Sequence, residues 1–117
     1  MKARSVAFGV IEIEGRRYEH DVVIAGGRIR QRDKKPSKRF RDRFGHTPLS
    51  NEEAIPWGGR TLVIGTGASG QLPIMAEVLA EADRRGIDLV VEPTREACLV
   101  LGTRPAREVH AILHVTC

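Results

Sequence analysis

The chain is poor in aromatic residues, with three Phe, one Tyr and one Trp among 117 residues. A core must therefore be built from Val, Ile, Leu and Ala, and a nucleic-acid surface that stacks bases on aromatic rings has little to draw on. Cysteine is nearly absent too. Cys98 falls in a helical pattern and Cys117 is the last residue, a placement that makes neither a disulfide framework nor a zinc motif and fits a reducing cytoplasm. No run approaches the roughly 18 apolar residues that a membrane span requires. Met1 to Ile13 alternates instead of forming one apolar block, so neither a signal peptide nor a membrane partner is expected. The length suits one domain, residues 1–117, and leaves no room for the separate cofactor and substrate domains of a two-domain dehydrogenase.

What charge there is lies unevenly. Arg28 to Arg43 holds nine Lys or Arg against Asp33 and Asp42, a local balance of +7 within a net +4, so the remainder carries about −3. This is a basic segment on a mildly acidic body. Its centre, residues 33–46, has no apolar period, contains Pro36 and is expected to be a mobile loop presenting Lys34, Lys35, Lys38, Arg39, Arg41 and Arg43.

The first half of the chain reads as β-structure. Val6 to Glu12 alternates in period two, Tyr18 to Ile24 continues in extended style, and Glu14-Gly15 between them suits a hairpin turn. Gly26-Gly27 then turns the chain into a short strand, Arg28 to Arg32. Ser50-Asn-Glu-Glu53 has the capping-box spacing that opens a short helix. From Thr61 the pattern becomes strand, helix, strand, helix, strand. Thr61 to Ile64 is a buried strand, and Ile74, Val78, Leu79 and Ala82 mark one face of a helix starting at Pro73 and stopped by Gly86. Leu89 to Val91 is the next strand, Thr94 caps a second helix ending near Gly102, and Val109 to Val115 closes the chain. Helical crossovers imply parallel strands with right-handed connections, so three parallel strands end at one edge of a sheet. The glycine turn, Thr94, Thr116 and Cys117 all collect at that edge, where open α/β sheets bind ligands.

Gly65, Gly67 and Gly70 satisfy the spacing G-x-G-x-x-G of a dinucleotide-binding turn. The context opposes that reading. The motif lies mid-chain after a β-rich half, about 50 residues follow it, and Leu72-Pro73 delays the helix that should sit under it. A small anion remains open, held by Gly65, Thr66, Gly67, Ser69 and Gly70 with His46 or Cys117 doing chemistry beside it. No metal site is expected. His110 and His114 share a strand face but stand about 13 Å apart at ~3.3 Å per residue, and Cys117 points to the other face. His114 is expected to be a hydrogen-bonded sheet histidine. A Cys117–His46 nucleophile pair lacks an orienting third residue, and a terminal carboxylate would raise the thiol's pKa. No cofactor is expected.

Taken together, Tyr18-Glu-His-Asp-Val-Val23, Gly45-His-Thr-Pro-Leu49, Leu62-Val-Ile-Gly-Thr-Gly67, Pro93-Thr94 with Ala97, and Ala111-Ile-Leu-His-Val-Thr-Cys117 resemble the small Mth-type domain family over nearly the whole chain. The resemblance implies a three-layer β+α/β+α domain, with a central mixed, mainly parallel sheet and an N-terminal β-hairpin layer. It also implies no established catalytic activity, and mitochondrial relatives that act as assembly factors through protein contacts. Gly65, Thr66, Gly67, Thr94, His114, Thr116 and Cys117 match family positions, but none brings a role with it. The expected function is a non-enzymatic accessory domain that binds another protein or a second copy of itself. Anion binding at the sheet edge and nucleic-acid binding through Arg28–Arg43 stand as alternatives.

Overall fold

Strands buried on both faces need cover on both sides. Val22, Val23 and Ile24 are consecutive buried residues, as are Leu62 to Thr66 and Ala111 to Leu113. The computed structural model describes residues 1–117 and shows how that cover is supplied. Eight strands run in order: β1 (Ala3–Ala7), β2 (Val10–Ile13), β3 (Arg16–Tyr18), β4 (Val22–Ala25), β5 (Arg28–Gln31), β6 (Thr61–Thr66), β7 (Asp88–Glu92) and β8 (His110–His114). The helices are α1 (Arg41–Phe44), α2 (Ala76–Arg84) and α3 (Thr94–Leu101).

β1, β2 and β3 form an antiparallel three-stranded sheet, and the other strands form a five-stranded sheet in the order β5-β4-β8-β6-β7. The β6–β7 and β6–β8 pairs are parallel, while β4–β5 and β4–β8 are antiparallel. One face of the central sheet, with Val22, Ile24, Val63, Ala111 and Leu113, packs on Ala97, Cys98 and Leu101 of α3 and on Ile11 and Ile13 of β2. The other face, with Val23, Leu62, Ile64 and Ile112, packs on Val78 of α2 and on Leu49, Ile55 and Leu72. This is the expected three-layer α/β arrangement with a mixed central sheet. Each large aliphatic side chain buried this way contributes about 1.5–3 kcal/mol. Burial also pushes the Cys98 thiol up to about 11, which leaves it a core residue and not a nucleophile. No helix is long and apolar enough to cross a membrane.

Several local expectations are corrected. Val6 to Glu12 is not one strand, because Phe8-Gly9 turns the chain between β1 and β2. The Glu14-Gly15 turn is present, with both residues at positive φ. Tyr18 to Ile24 is also divided, β3 joining the outer sheet and β4 the central one. Residues 33–46 are not an irregular loop: a 3-10 helix over Lys35–Phe40 runs into α1. Ser50 opens a turn and not a helix. Its hydroxyl does accept the Glu52 N–H at 3.3 Å, but Glu53 turns its carboxylate inward to Arg32, so the reciprocal half of a capping box never forms.

The helix expected from Pro73 begins at Ala76. Residues 71–75 stay extended because Leu49 claims them: its N–H donates to the Pro73 carbonyl at 2.8 Å and its carbonyl accepts the Met75 N–H at 3.0 Å. Thr94 is the first residue of α3 rather than its cap, a place taken by Pro93 in extended geometry. The Thr94 hydroxyl works across the sheet edge instead.

Candidate functional site

Strand order decides what meets at the carboxyl edge of the parallel strands. The register pairs Val22 with both Leu113 and Gln31, so Asp21 before β4, Arg32 after β5 and His114 at the end of β8 lie side by side. β6 ends nearby at Thr66, which pairs with His114.

One half of this edge is closed by the chain itself. The Gly67 N–H donates to the Thr94 hydroxyl at 2.8 Å, and that hydroxyl donates to the His114 carbonyl at 2.5 Å. The Ala68 N–H donates to the Thr116 carbonyl at 2.7 Å, and the N–H groups of Ser69 and Gln71 both donate to the Cys117 carbonyl, at 3.3 and 2.9 Å. Leu72 N–H goes to the Thr66 carbonyl at 3.0 Å and Gly70 N–H to that of Gly67 at 3.3 Å. The donors expected to cradle an anion are therefore committed to protein carbonyls. The glycines have a packing reason. A Cβ on Gly67, where φ is +106°, would stand 2.3 Å from the Cys117 carbonyl carbon, and one on Gly65 would stand 2.9 Å from the Thr94 hydroxyl. The late start of α2 also removes the helix N-terminus that a dinucleotide fingerprint requires.

The other half is open. A cleft of about 470 Å³ is lined by Arg32, Lys34, Lys38, Arg41, His46, Thr47, Leu72, His114, Thr116 and Cys117, with no acidic side chain among them. Of the expected site residues, His46, His114, Thr116 and Cys117 thus come together with Lys34, Lys38 and Arg41. Gly65, Thr66, Gly67 and Thr94 lie behind them in the closed half, while Ser69 and Gly70 are exposed outside the cleft. Lys35, Arg39 and Arg43 do not line it. Arg39 pairs with Glu52 and lies over the Phe40 ring at 4.6 Å, and Arg43 lies over Phe44 at 5.4 Å. Both phenyl rings therefore already carry a guanidinium.

Beneath the cleft is a buried ionic network. The Arg32 side chain is 1% exposed and makes a bidentate pair with Glu53, 2.8 Å from each carboxylate oxygen. A further N–H reaches Asp21 at 2.9 Å and another the Pro48 carbonyl at 3.1 Å. The Ser37 hydroxyl donates to Glu53 at 2.5 Å and lies 2.6 Å from that of Ser50, which pins the 3-10 helix to the body. Arg32 is thus consumed by the scaffold, leaving Lys34, Lys38 and Arg41 as the cleft's free cations.

Asp21 links the network to His114. One carboxylate oxygen accepts the Val115 N–H at 2.9 Å, and the other lies 2.8 Å from His114 Nδ1. Burial alone would raise the Asp21 pKa. The hydrogen bond and charge of His114, the Val115 N–H and the Arg32 charge outweigh it and bring the group from 3.8 down to about 2. Nδ1–H must then donate to the carboxylate. Nε2 lies 3.2 Å from the hydroxyl of Thr116, a residue of the cleft lining. His114 is the hydrogen-bonded sheet histidine expected from the sequence, now with its partners identified. His110 lies at the far end of β8, packed against Gly58 and Gly59, and no cluster of His, Cys, Asp and Glu has the geometry of a metal site.

Asp21, Arg32, Ser37 and Glu53 are not among the site residues expected from the sequence, where Glu53 enters only as half of a capping box. The available signals were slight: a carboxylate directly before the apolar run Val22–Ile24, and lysine and arginine at 34, 38 and 41, a helical spacing that places them on one face.

Fold and site together define a three-layer α/β domain with a cationic cleft at the carboxyl edge of its central sheet. The chain belongs to the family described as protein of unknown function, DUF498/DUF598, whose model matches residues 3–114. It is similar to the crystal structure of the conserved hypothetical protein PH1505 from Pyrococcus horikoshii OT3, with 31% identity over 100% of both chains and a TM-score of 0.81. A second solved structure, titled MT938, is 25% identical over 98% of this chain and 97% of that one, with a TM-score of 0.71. No curated protein matches the chain.

Proposed function

We propose that this protein is a binding domain whose cleft takes a small, multiply charged anion such as a phosphate, and that its family is the one the Mth-type resemblance indicates. The supporting observation is the convergence of Lys34, Lys38, Arg41, His46 and His114 on one cleft that carries no acidic side chain. Cations held on a concave surface focus their field and raise the local concentration of anions. The Arg32–Glu53–Ser37 network supplies the preorganisation, since it fixes the segment that bears the lysines.

Calorimetric titration with inorganic phosphate and pyrophosphate at low salt tests this reading. Binding is expected in the wild type, weaker with added salt, lost when Lys34, Lys38 and Arg41 are all changed to Gln, and kept when Lys35, Arg39 and Arg43 are. Absence of binding to the wild type, or equal binding to both triple variants, overturns it.

A second reading, docking of an acidic protein segment, draws on Lys35, Arg39 and Arg43, which are exposed and lie outside the cleft. It predicts that a poly-glutamate peptide followed by fluorescence anisotropy loses affinity in the outer triple variant more than in the cleft variant.

A further inference from the structure

The chain from Asp21 through His114 to Thr116 goes beyond what holding an anion requires. Asp21 is already satisfied by the Arg32 guanidinium and the Val115 N–H, yet it also receives His114 Nδ1 at 2.8 Å. That contact fixes the ring and its tautomer, so the neutral imidazole turns the Nε2 lone pair toward Thr116 Oγ1 at 3.2 Å. Carboxylate, imidazole and hydroxyl in this order, each oriented by the one before, form the arrangement that activates a hydroxyl nucleophile. Thr116 is among the residues lining the cleft that carries Lys34, Lys38 and Arg41. Leu72 and Cys117 are the only apolar residues of the lining, so a long acyl chain finds little to pack on, whereas cations around a hydroxyl suit a transferring phosphoryl group.

Resting on the anion-binding reading, we infer that the cleft is a phosphoryl-transfer site for small phosphate monoesters, with Thr116 as nucleophile, His114 as general base and Asp21 as the residue that positions the imidazole. Thr116 Oγ1 attacks phosphorus while its proton passes to His114 Nε2. The bond from phosphorus to the ester oxygen breaks, and that oxygen takes the proton from Nε2 and leaves as the alcohol. Water then attacks the phosphothreonine and gives a proton to Nε2. The P–Oγ1 bond breaks, Oγ1 recovers the proton, and inorganic phosphate departs. The sum is ester plus water giving alcohol plus phosphate, with no change of oxidation state.

The test uses the full chain with p-nitrophenyl phosphate, following nitrophenol release and the intact mass of the protein, while inorganic phosphate binding is titrated in parallel. Wild type is expected to release nitrophenol and to show a mass gain of one phosphoryl group that maps to Thr116. Thr116→Val, with its fold checked by circular dichroism, loses turnover by about a hundredfold or more. Thr116→Ser restores it, and His114→Gln lowers kcat with little change in KM. Phosphate binding without turnover, or turnover that survives in Thr116→Val, overturns the inference and leaves the binding reading intact. Failure of the wild type to bind phosphate overturns both.

Discussion

The two halves of the sheet's carboxyl edge start from the same elements and end in opposite states. At the glycine turn, backbone N–H groups from Gly67 to Leu72 are spent on the carbonyls of Thr66, Gly67, Thr116 and Cys117 and on the Thr94 hydroxyl. In the other half, the segment after β5 is anchored by the buried Arg32 guanidinium through Glu53 and Ser37, and side-chain cations line an open cleft. A glycine-rich motif is therefore evidence of close backbone approach, but what approaches can be the protein's own chain as readily as a phosphate.

The largest expected effect breaks the open half. Arg32→Met strands Asp21 and Glu53 as buried carboxylates without their cation, at a cost of about 3–5 kcal/mol in urea unfolding. The closed half is broken next. Gly67→Ala places a Cβ against the Cys117 carbonyl at positive φ and costs about 2 kcal/mol or more. Gly70→Ala, at φ +67° with its nearest neighbour 3.5 Å away, costs only about 1 kcal/mol. Equal losses at the two glycines would contradict the packing role assigned to Gly67.

Acid titration sharpens the comparison at Asp21. Its folded pKa lies below the ordinary 3.8, so its stabilisation is complete above that value and is lost as pH falls toward about 2. That amounts to about 2 kcal/mol at neutral pH, and Asp21→Asn is expected to abolish this part of the acid sensitivity. The smallest effect belongs to the free cations. Changing Lys34, Lys38 and Arg41 to Gln alters unfolding by about 0.5 kcal/mol or less per site, because all three are exposed, and so separates binding from stability.

Much of the central sheet was legible in the pattern of residues. The buried runs at Val22–Ile24, Leu62–Ile64 and Ala111–Leu113 and the stop at Gly86 are local signals, and local physics enforces them. The N-terminal turns were harder, since Phe8-Gly9 interrupts an alternation that looks continuous. The start of α2 and the fate of Ser50–Glu53 were not legible, because both depend on partners far along the chain: Leu49 for one, Arg32 for the other.

The same division holds for the site. Composition and periodicity alone determine parallel strands joined by helices, the edge at which the glycine turn, Thr94, Thr116 and Cys117 gather, and the basic segment beside it, while the three-layer arrangement follows from the family resemblance. Tertiary structure alone decided which half of that edge is filled, which three cations face the gap, and that Asp21, Arg32 and Glu53 lie beneath them. Hydrophobic periodicity is written in neighbouring residues. The pairing of Asp21 with His114, 93 positions apart, exists only once strand order and register have brought their ends together.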